Sequence, residues 1–307
     1  MSNVIYLESP TLAVSLSNRG ARLVQLLAKR QNLSLLLDTA QVSTELIDRF
    51  CIGGTVGPFA GRLRRIDAIN GQSAVLLHGN EAALHRADWL LERGSQSNAA
   101  TYSISRRHGE GGLPGDRDFS VAYTLLENSL MIDLSVTTTH DTPISMTNHA
   151  YFTLGATSVS ALWLQINAQS VLLTDSEQCA TGGSMAVAGT PLDFASERLL
   201  SDALMEHPDG LDHSYVLASG GQNALAPDHV ASLVNRANGV SLDIATTQPC
   251  LQVYTASQLT TPLRPFSAIC LEAQGFPNGP NHALGHSESW LAAGQTTTQR
   301  IVYRINE

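Results

Sequence analysis

Apolar and polar residues alternate along much of the chain, and this alternation constrains the fold more than any other sequence feature. In TLAVSLS, residues 11–17, the apolar residues Leu12, Val14 and Leu16 occupy every second position. The same period recurs in SLMIDLSV (129–136), ALWLQIN (161–167), VSLDIAT (240–246) and RIVYRIN (300–306). Because successive side chains of a strand point to opposite faces, this period predicts half-buried β-strands.

Helical patterns are scarce by comparison. Residues 81–90 and 195–206 have a spacing that suits a helical turn or two, and no Gly- or Ser-rich linker divides the chain. The length of 307 residues suits one large domain or two of ordinary size. We therefore expect an all-β fold, a large antiparallel β-sandwich with few short helices, that forms one domain over residues 1–307.

Charge and composition argue against two classes of partner. The formal net charge is −9, whereas nucleic acids and anionic membranes reward Lys and Arg. The N-terminal MSNVIYLESP lacks the pattern of a signal peptide, and no apolar run approaches about 18 residues. The four Cys form no CxxC pair, and Cys250 and Cys270 lie in apolar runs typical of buried thiols. We expect a reduced, cytoplasmic protein that binds neither nucleic acid nor membrane.

Two strand-like segments carry polar residues where a core would need apolar ones. In SAICLEAQGF (267–276), both faces are apolar up to Glu272, so burial of this carboxyl group requires a partner or a function. A structural ion pair and a general base with a pKa tuned by burial explain this strand equally well. In CLQVYTAS (250–257), Gln252 and Tyr254 share one face. The two segments together suggest the floor of a polar cleft.

His149 lies in a third unusual stretch, MTNHAYFTLG, where Asn, His and aromatic residues interrupt a strand-like pattern. A lone His in a strand is usually structural, but polar groups on both faces serve a ligand better than a core. Three further candidates are His78 in LLHGN, Asp212 in GLDHSYVL and Arg62 in VGPFAGRLRR. The glycines around Arg62 would let the backbone approach a small molecule closely.

Common catalytic and cofactor motifs are absent from the sequence. No HxH, HExxH or CxxC spacing supports a metal site, and no GxSxG supports a Ser-His-Asp hydrolase. GGTVGPFAG is neither a Walker loop nor a dinucleotide fingerprint. Asp212 and Glu272 could form the carboxyl pair of a glycosidase, although the sequence leaves their separation open. We therefore expect neither a metal nor a cofactor.

Taken in order, several segments resemble the aldose 1-epimerase (galactose mutarotase) family. The matching stretches are NRGARLVQLLAKR, GGTVGPFAGRL, LHGN followed by LHRADW, the region from GLPGD to YFTLG, GLDHSYVL, LQVYTAS and CLEAQGFPNGPNH. They cover most of the chain from about residue 18 onward, and TNHAYF with LEAQ…PNGPNH is the most specific pair. The resemblance implies a galactose mutarotase-like β-sandwich that binds a sugar in a cleft on one sheet.

The resemblance also implies roles for individual residues. The family's catalytic glutamate, in an LExQ context, falls on Glu272, and its catalytic histidine, in TNHxYF, falls on His149. The family's substrate-binding positions fall on Arg62, His78, Asp212 and Gln252.

The chain departs from the family pattern at several positions around this site. Gly61 stands where Asn is frequent, and Gly57-Pro58 stands where Arg is common. Asn80 stands where an LHGG pattern has its last glycine, and Ala256-Ser257 stands where Gly-Asn follows the QxYT strand. The first two departures remove polar contacts near the sugar, so they bear on which sugar is preferred more than on the reaction.

The implied activity is interconversion of the α and β anomers of a free aldose by ring opening and closure. The hydroxyl at C1 loses a proton while the ring oxygen gains one, which requires a base and an acid together. Glu272 is expected to be the carboxylate base. His149 is expected to be the imidazolium acid, with a pKa raised by a nearby carboxylate that could be Asp212.

Three other functions fit parts of the same pattern. A sugar-phosphate 1-epimerase would need cations for its phosphate, which Arg62, Arg64, Arg65 and Arg86 could supply. A non-catalytic sugar-binding module could keep the fold without an acid–base pair. A glycosidase would use the two carboxyl groups and release a reducing sugar.

Overall fold

A computed structural model describes residues 3–66, 73–92, 97–218 and 226–307. Its strands, in chain order, are β1 (Val4–Glu8), β2 (Leu12–Ser17), β3 (Arg22–Ala28), β4 (Leu33–Ser34), β5 (Thr55–Val56), β6 (Arg62–Ile66), β7 (Ser73–Leu77), β8 (Leu90–Glu92), β9 (Ala99–Arg106), β10 (Arg117–Leu125), β11 (Ser129–Thr138), β12 (Thr142–Pro143), β13 (Thr147–Asn148), β14 (Tyr151–Phe152), β15 (Trp163–Ile166), β16 (Ala168–Thr174), β17 (Ala180–Ala186), β18 (Arg198–Leu199), β19 (Asp212–Leu217), β20 (Asp228–Asn235), β21 (Val240–Thr246), β22 (Cys250–Tyr254), β23 (Ile269–Gln274), β24 (Trp290–Leu291) and β25 (Thr296–Asn306). The α-helices are α1 (Thr44–Arg49) and α2 (Leu200–Glu206). Single 3₁₀ turns span Asn80–Ala82, Leu84–Arg86, Glu110–Gly112, Val159–Ala161, Gly279–Asn281 and Ser287–Ser289.

Two large antiparallel sheets dominate the structure, as the alternation predicted. The nine-stranded sheet has the order β18-β15-β20-β21-β25-β11-β10-β9-β8. The six-stranded sheet has the order β14-β23-β22-β19-β16-β17. A four-stranded sheet, β1-β2-β3-β4, and the two-stranded pairs β12-β24, β13-β5 and β6-β7 complete the strand pairing of the described residues.

The main core takes side chains from both large sheets. In β11, Leu130, Ile132, Leu134 and Val136 are buried while the residues between them are partly exposed. The six-stranded sheet contributes Leu251, Val253, Leu271 and Ala273 to the same cluster. Because side chains alternate along a strand, the other face of β22 and β23 is turned away from this core. That second face carries the polar residues which the sequence had singled out.

The helical segments are shorter than the sequence patterns indicated. The segment 81–90 contains only the 3₁₀ turns Asn80–Ala82 and Leu84–Arg86 and ends at the first residue of β8. Only Leu200–Glu206 of the segment 195–206 is α-helical. Helix α1 was not predicted from the sequence, since its six residues show too little periodicity. Ser43 caps it by accepting a hydrogen bond from the Leu46 amide. All four Cys are free and buried.

The stretch MTNHAYFTLG forms two short strands rather than one. Thr147 and Asn148 pair with β5, whereas Tyr151 and Phe152 pair with β23 in the six-stranded sheet. His149 lies at the break between the two pairings. Its amide donates to the Gly54 carbonyl at 3.0 Å, and its carbonyl accepts from the Gly53 amide at 2.8 Å. A change of pairing partner therefore interrupts the strand at the residue of most chemical interest.

A buried ion cluster holds α1 next to this break. Asp48 of α1 accepts from Arg19 at 2.6 Å and from Arg22 at 2.8 Å. Arg22 also donates to the His85 carbonyl at 3.2 Å and is itself buried. Gly53 follows the end of α1 by a few residues. It packs so closely against β3 that an added Cβ would lie 2.1 Å from the Leu23 carbonyl oxygen. The cluster thus fixes the segment that hydrogen-bonds His149.

The main core takes residues from almost the whole length of the chain, from Leu7 to Ile305. That residues 1–307 form one domain is kept as a prediction from the sequence. Within the described ranges, no helix is both long enough and apolar enough to cross a bilayer.

We predict that Asp48→Ala destabilises the fold strongly. The substitution leaves the buried Arg22 guanidinium without its carboxylate, and breaking a buried pair in this way costs about 3–5 kcal/mol. Denaturant titration would measure the free energy of unfolding. Glu8→Ala is the matched control, because the exposed Glu8–Lys29 pair should contribute at most about 1 kcal/mol. Equal losses in the two variants would contradict the anchoring role.

Candidate active site

A cleft of about 810 Å³ lies against the polar face of the six-stranded sheet. Pockets of roughly 300–1,000 Å³ are typical of small-molecule sites. The structure places all the site residues predicted from the sequence in the lining of this one cleft: Arg62, His78, His149, Asp212, Gln252 and Glu272. Three of them lie on adjacent strands of the sheet, and the others reach the cleft from loops and from the β6–β7 pair.

Strand register sets the arrangement of polar groups on the cleft floor. Glu272 of β23 pairs with Gln252 of β22, which pairs in turn with Ser214 of β19. One row further along, Tyr254 pairs with Asp212. Each row is two residues from the next, or about 6.7 Å, so Glu272 and Asp212 occupy neighbouring rows of one surface. Alternation along the strands therefore explains why these polar groups face the same space.

Glu272 and His149 meet at the centre of the cleft. Glu272 Oε1 lies 3.5 Å from His149 Nε2, and the two residues are only 3% and 5% exposed. The second carboxyl oxygen, Oε2, has no hydrogen-bond partner among the described residues. The His149 ring stacks on Tyr151, with ring centroids 5.2 Å apart and planes inclined by 16°. Tyr151 thereby holds the imidazole in a fixed orientation beside the carboxyl group.

Burial favours the neutral forms of both groups. Desolvation lowers the pKa of His149 to about 4. Desolvation, reinforced by the negative charge of Asp212, raises the pKa of Glu272 well above its usual value. The expectation that a carboxylate raises the His149 pKa is therefore wrong, because loss of hydration outweighs attraction.

Asp212 contacts Gln252 rather than the imidazole. Gln252 Nε2 donates to Asp212 Oδ1 at 2.6 Å. Burial raises the pKa of Asp212, while the positive charge of Arg62 and the Gln252 hydrogen bond act in the opposite direction. The nearest carboxyl group to His149 is thus Glu272, and Asp212 bears on the pair mainly through its charge.

His78 presents a neutral ring to the same site. Its Nδ1 accepts a hydrogen bond from the Gly61 amide at 3.2 Å, which leaves the ring proton on Nε2. Desolvation, together with nearby positive charges, lowers the pKa of His78 well below its usual value. The His78 and His149 rings meet edge to face, with centroids 5.7 Å apart. His78 is therefore suited to donate a hydrogen bond and unsuited to carry charge.

Arg62 bridges the cleft mouth to a hairpin loop. One of its guanidinium nitrogens donates to Gln178 Oε1 at 2.5 Å, and both residues line the cleft. The hairpin is held by Arg64, which contacts Asp175 at 2.6 Å and Glu177 at 2.8 Å. Gln178 was missed from the sequence because its loop carries no pattern that would connect it with the cleft.

Two other residues of the cleft lining could have been predicted from their positions in the sequence. Gln274 lies two positions after Glu272 on β23, so the two side chains share one face of the strand. Tyr151 lies two positions after His149 and begins β14. Within the described ranges, no group of three His, Cys, Asp or Glu side chains is arranged to hold a metal ion.

We predict that His149 makes stability depend on pH in mildly acid solution. Its pKa is about 4 in the folded protein and about 6.5 in the unfolded chain, so the unfolded chain binds more protons between these values. The contribution is complete above about pH 6.5 and is lost as pH falls towards 4, by at most about 3 kcal/mol. The raised pKa of Glu272 acts with the opposite sign, since its contribution to stability is lost as pH rises.

Denaturant titrations of the wild type and of His149→Asn from pH 7 to pH 4 would isolate this effect. The difference between the two proteins in free energy of unfolding should shrink as the solution is acidified. His286→Asn, at an exposed position, is the matched control and should follow the wild type. A difference that stays constant with pH would contradict the lowered His149 pKa.

Comparison with known proteins identifies the family of the chain. The family model described as aldose 1-epimerase matches residues 3–304. An aldose 1-epimerase of Haemophilus influenzae is 30% identical over 256 residues, which cover 75% of this chain and 73% of that protein. A galactose mutarotase of Sus scrofa is 28% identical over 299 residues, covering 90% of this chain and 86% of that protein.

Solved structures agree as well. An aldose epimerase homologue from C. elegans superposes with a TM-score of 0.86 at 23% identity, over 100% of this chain and 99% of that one. A galactose 1-epimerase from Lactobacillus acidophilus superposes with a TM-score of 0.85 at 25% identity, over 100% of this chain and 95% of that one. The all-β fold is therefore a galactose mutarotase-like sandwich, and the chain belongs to the aldose 1-epimerase family of isomerases.

Proposed function

We propose that the protein interconverts the α and β anomers of a free aldose, with Glu272 and His149 as its acid–base pair. One observation carries the proposal: a carboxyl group and an imidazole lie 3.5 Å apart, buried, on the wall of a cleft of about 810 Å³. Glu272 Oε2 has no partner among the described residues. An unpartnered buried carboxyl oxygen is costly to a structure, so a ligand hydroxyl is its natural complement.

In this proposal one proton moves between the two groups of the pair. Desolvation opposes charge on either group, because it raises the pKa of Glu272 and lowers that of His149. Sugar hydroxyls that donate to the carboxyl group would stabilise its ionised form. A proton on Glu272 would then pass to His149 without any exchange with solvent. The pair reaches the carboxylate and imidazolium forms required for catalysis while its total charge stays at zero.

Ring opening then needs two proton transfers at two oxygens. Glu272 removes the proton of the C1 hydroxyl, the C1–O1 bond becomes a carbonyl, and the bond between C1 and the ring oxygen breaks. His149 delivers its proton to the ring oxygen. The open aldehyde rotates about its C1–C2 bond, and the same steps in reverse close the ring on the other face. Each positioned acid or base contributes about 10²–10⁴-fold to the rate.

The other lining residues bind and orient the sugar in this proposal. His78 donates from Nε2 because its Nδ1 is occupied by the Gly61 amide. Asp212 accepts from a sugar hydroxyl through the oxygen that Gln252 leaves available. Arg62 exchanges Gln178 for a sugar oxygen. We also propose that the substrate is a free aldose and that the protein is cytoplasmic.

The arrangement of arginines favours a free sugar over a sugar phosphate. Among the four arginines suggested for a phosphate, Arg62 alone is in the cleft lining formed by the described residues. Arg64 is held by two carboxylates, Arg86 donates to His85 Nε2 at 3.2 Å, and Arg65 lies against Gly111. The carboxyl group of Asp212, which lines the same cleft, would also disfavour a phosphate.

A non-catalytic sugar-binding module is the weaker alternative. Binding alone requires hydrogen bonds, which amides and hydroxyls supply without the cost of burying a carboxyl group and an imidazole. The close Glu272–His149 contact is therefore hard to explain without proton transfer.

We predict that Glu272→Gln removes anomer interconversion and leaves the fold intact. The amide keeps the shape of the side chain but cannot take a proton, so kcat should fall at least about 10²-fold. Polarimetry on freshly dissolved α-glucose or α-galactose measures the rate. Glu127→Gln, at an exposed position far from the cleft, is the matched control and should keep full activity. A wild-type rate in Glu272→Gln would refute the base assignment.

His149→Asn should lower kcat about 10²–10⁴-fold while KM changes little. In the wild type, activity should decline as pH falls through about 4, because a second proton on the pair leaves no base. In the variant this limb at about pH 4 should be lost, and the residual activity should follow the ionisation of Glu272 alone. A change confined to KM would make His149 a binding group.

Substrate class is tested by comparing glucose with glucose 6-phosphate at equal concentration. We expect a higher kcat/KM for the free sugar. Preference for the phosphate would establish the sugar-phosphate 1-epimerase instead, and sugar affinity without rate acceleration would establish the binding module.

A further inference from the structure

Gln274 is a polar group of the cleft to which the acid–base mechanism gives no role. It lies two residues after Glu272 on β23 and faces the same cleft. The residue is 1% exposed, and its Nε2 has no hydrogen-bond partner among the described residues. A buried amide without a partner costs free energy unless a ligand supplies the missing contact.

Gly61 leaves the space in front of this amide open. Its φ of +72° belongs to the left-handed region. A Cβ added at Gly61 would lie 3.5 Å from Gln274 Nε2 and 3.6 Å from Pro277 Cβ, which are ordinary contact distances. A side chain at position 61 would therefore fit sterically and would cover the amide. Glycine leaves the space beside the amide free of a side chain.

The walls around the amide are mainly apolar. Leu172, Ala180 and Pro277 all line the cleft, and the first two belong to a small apolar cluster with Cys250 and Phe276. Cys250 is also the register partner of Gln274, so no charged side chain stands beside it on β22. One amide between apolar walls is suited to an uncharged oxygen, because an amide can both donate to a hydroxyl and accept from it.

We propose that Gln274 and Gly61 form a binding subsite for an uncharged hydroxyl or ether oxygen of the sugar. The proposal rests on the proposed function, since Glu272 marks where the anomeric centre lies. Two residues of a strand span about 6.7 Å, so the subsite takes an oxygen from the far side of the pyranose ring. Gln274 is a binding and specificity residue here and takes no part in proton transfer.

Gln274→Leu removes the amide while keeping a side chain of similar size. Loss of one hydrogen bond to the substrate should raise KM roughly two- to tenfold and leave kcat unchanged. The decisive comparison uses a series of monodeoxy aldoses. For one of them, the KM penalty seen with the wild type should vanish in the variant, because the two partners of the same hydrogen bond have been removed. That sugar identifies the oxygen bound by Gln274.

Gly61→Ala provides an independent test from the other side of the subsite. Its Cβ would lie 3.5 Å from Gln274 Nε2 and would add no polar group that could bind the sugar, so KM should rise for the sugars that use this oxygen. Gly189→Ala is the matched control, because it places the same side chain at a left-handed backbone position. Gly189 has the same φ of +72°, an added Cβ there meets no atom within 4 Å, and the residue is exposed. The control should behave as the wild type.

Sugar binding and catalysis are measured in separate experiments. The results can then contradict the Gln274 subsite without contradicting anomer interconversion, or the reverse. Calorimetric titration of Glu272→Gln, with and without Gln274→Leu, gives sugar affinities in the absence of turnover. Wild-type KM and unchanged affinity for every sugar in the Gln274→Leu variants would overturn the subsite. A wild type that binds sugars with a Gln274-dependent affinity but does not accelerate mutarotation would overturn the proposed function alone. Failure of every sugar to bind would overturn both.

Discussion

The contact between Glu272 and His149 depends on three separate parts of the fold. Glu272 is held in the interior of the six-stranded sheet, where β14 and β22 flank its strand. His149 is fixed by backbone hydrogen bonds to Gly53 and Gly54 and by stacking on Tyr151. The glycine segment follows α1, which Asp48 ties to two arginines. A loss of any of these supports would change the 3.5 Å separation on which proton transfer relies.

Desolvation is the second physical factor that organises the site. The sheet buries one face of β23 against the main core, and the opposite face forms the cleft floor. Charges on this floor are therefore expensive, which explains why the pKa of Glu272 is raised and the pKa values of His149 and His78 are lowered. A site of this kind favours an uncharged ligand with many hydroxyls, because hydroxyls satisfy the polar groups without adding a charge.

The two-residue period of β-strands made the core strands and the polar floor of the cleft predictable. Alternation identified the strands of the core and placed Glu272 and Gln252 on polar faces of neighbouring strands. Local sequence context singled out Arg62, His78, His149 and Asp212, and resemblance to a family assigned their roles. The structure brings all of them into one cleft. The short helix α1 and the position of Gln178 were not predictable, because a few residues without periodicity carry no local signal. The direction of the His149 pKa was also mispredicted, since it depends on burial rather than on neighbouring residues in the chain.

The sequence by itself determined which side chains alternate, and hence that polar groups interrupt strands otherwise built for a core. It determined that Glu272 and Gln274 share one face, because this follows from the geometry of any extended chain. Only the tertiary structure decided that His149 leaves one strand pairing for another at the point where it meets Glu272. It alone decided that Gly61 lies over Gln274, more than two hundred residues away in the chain. Such contacts arise from packing of distant segments, and packing also sets the desolvation that controls the protons of the site.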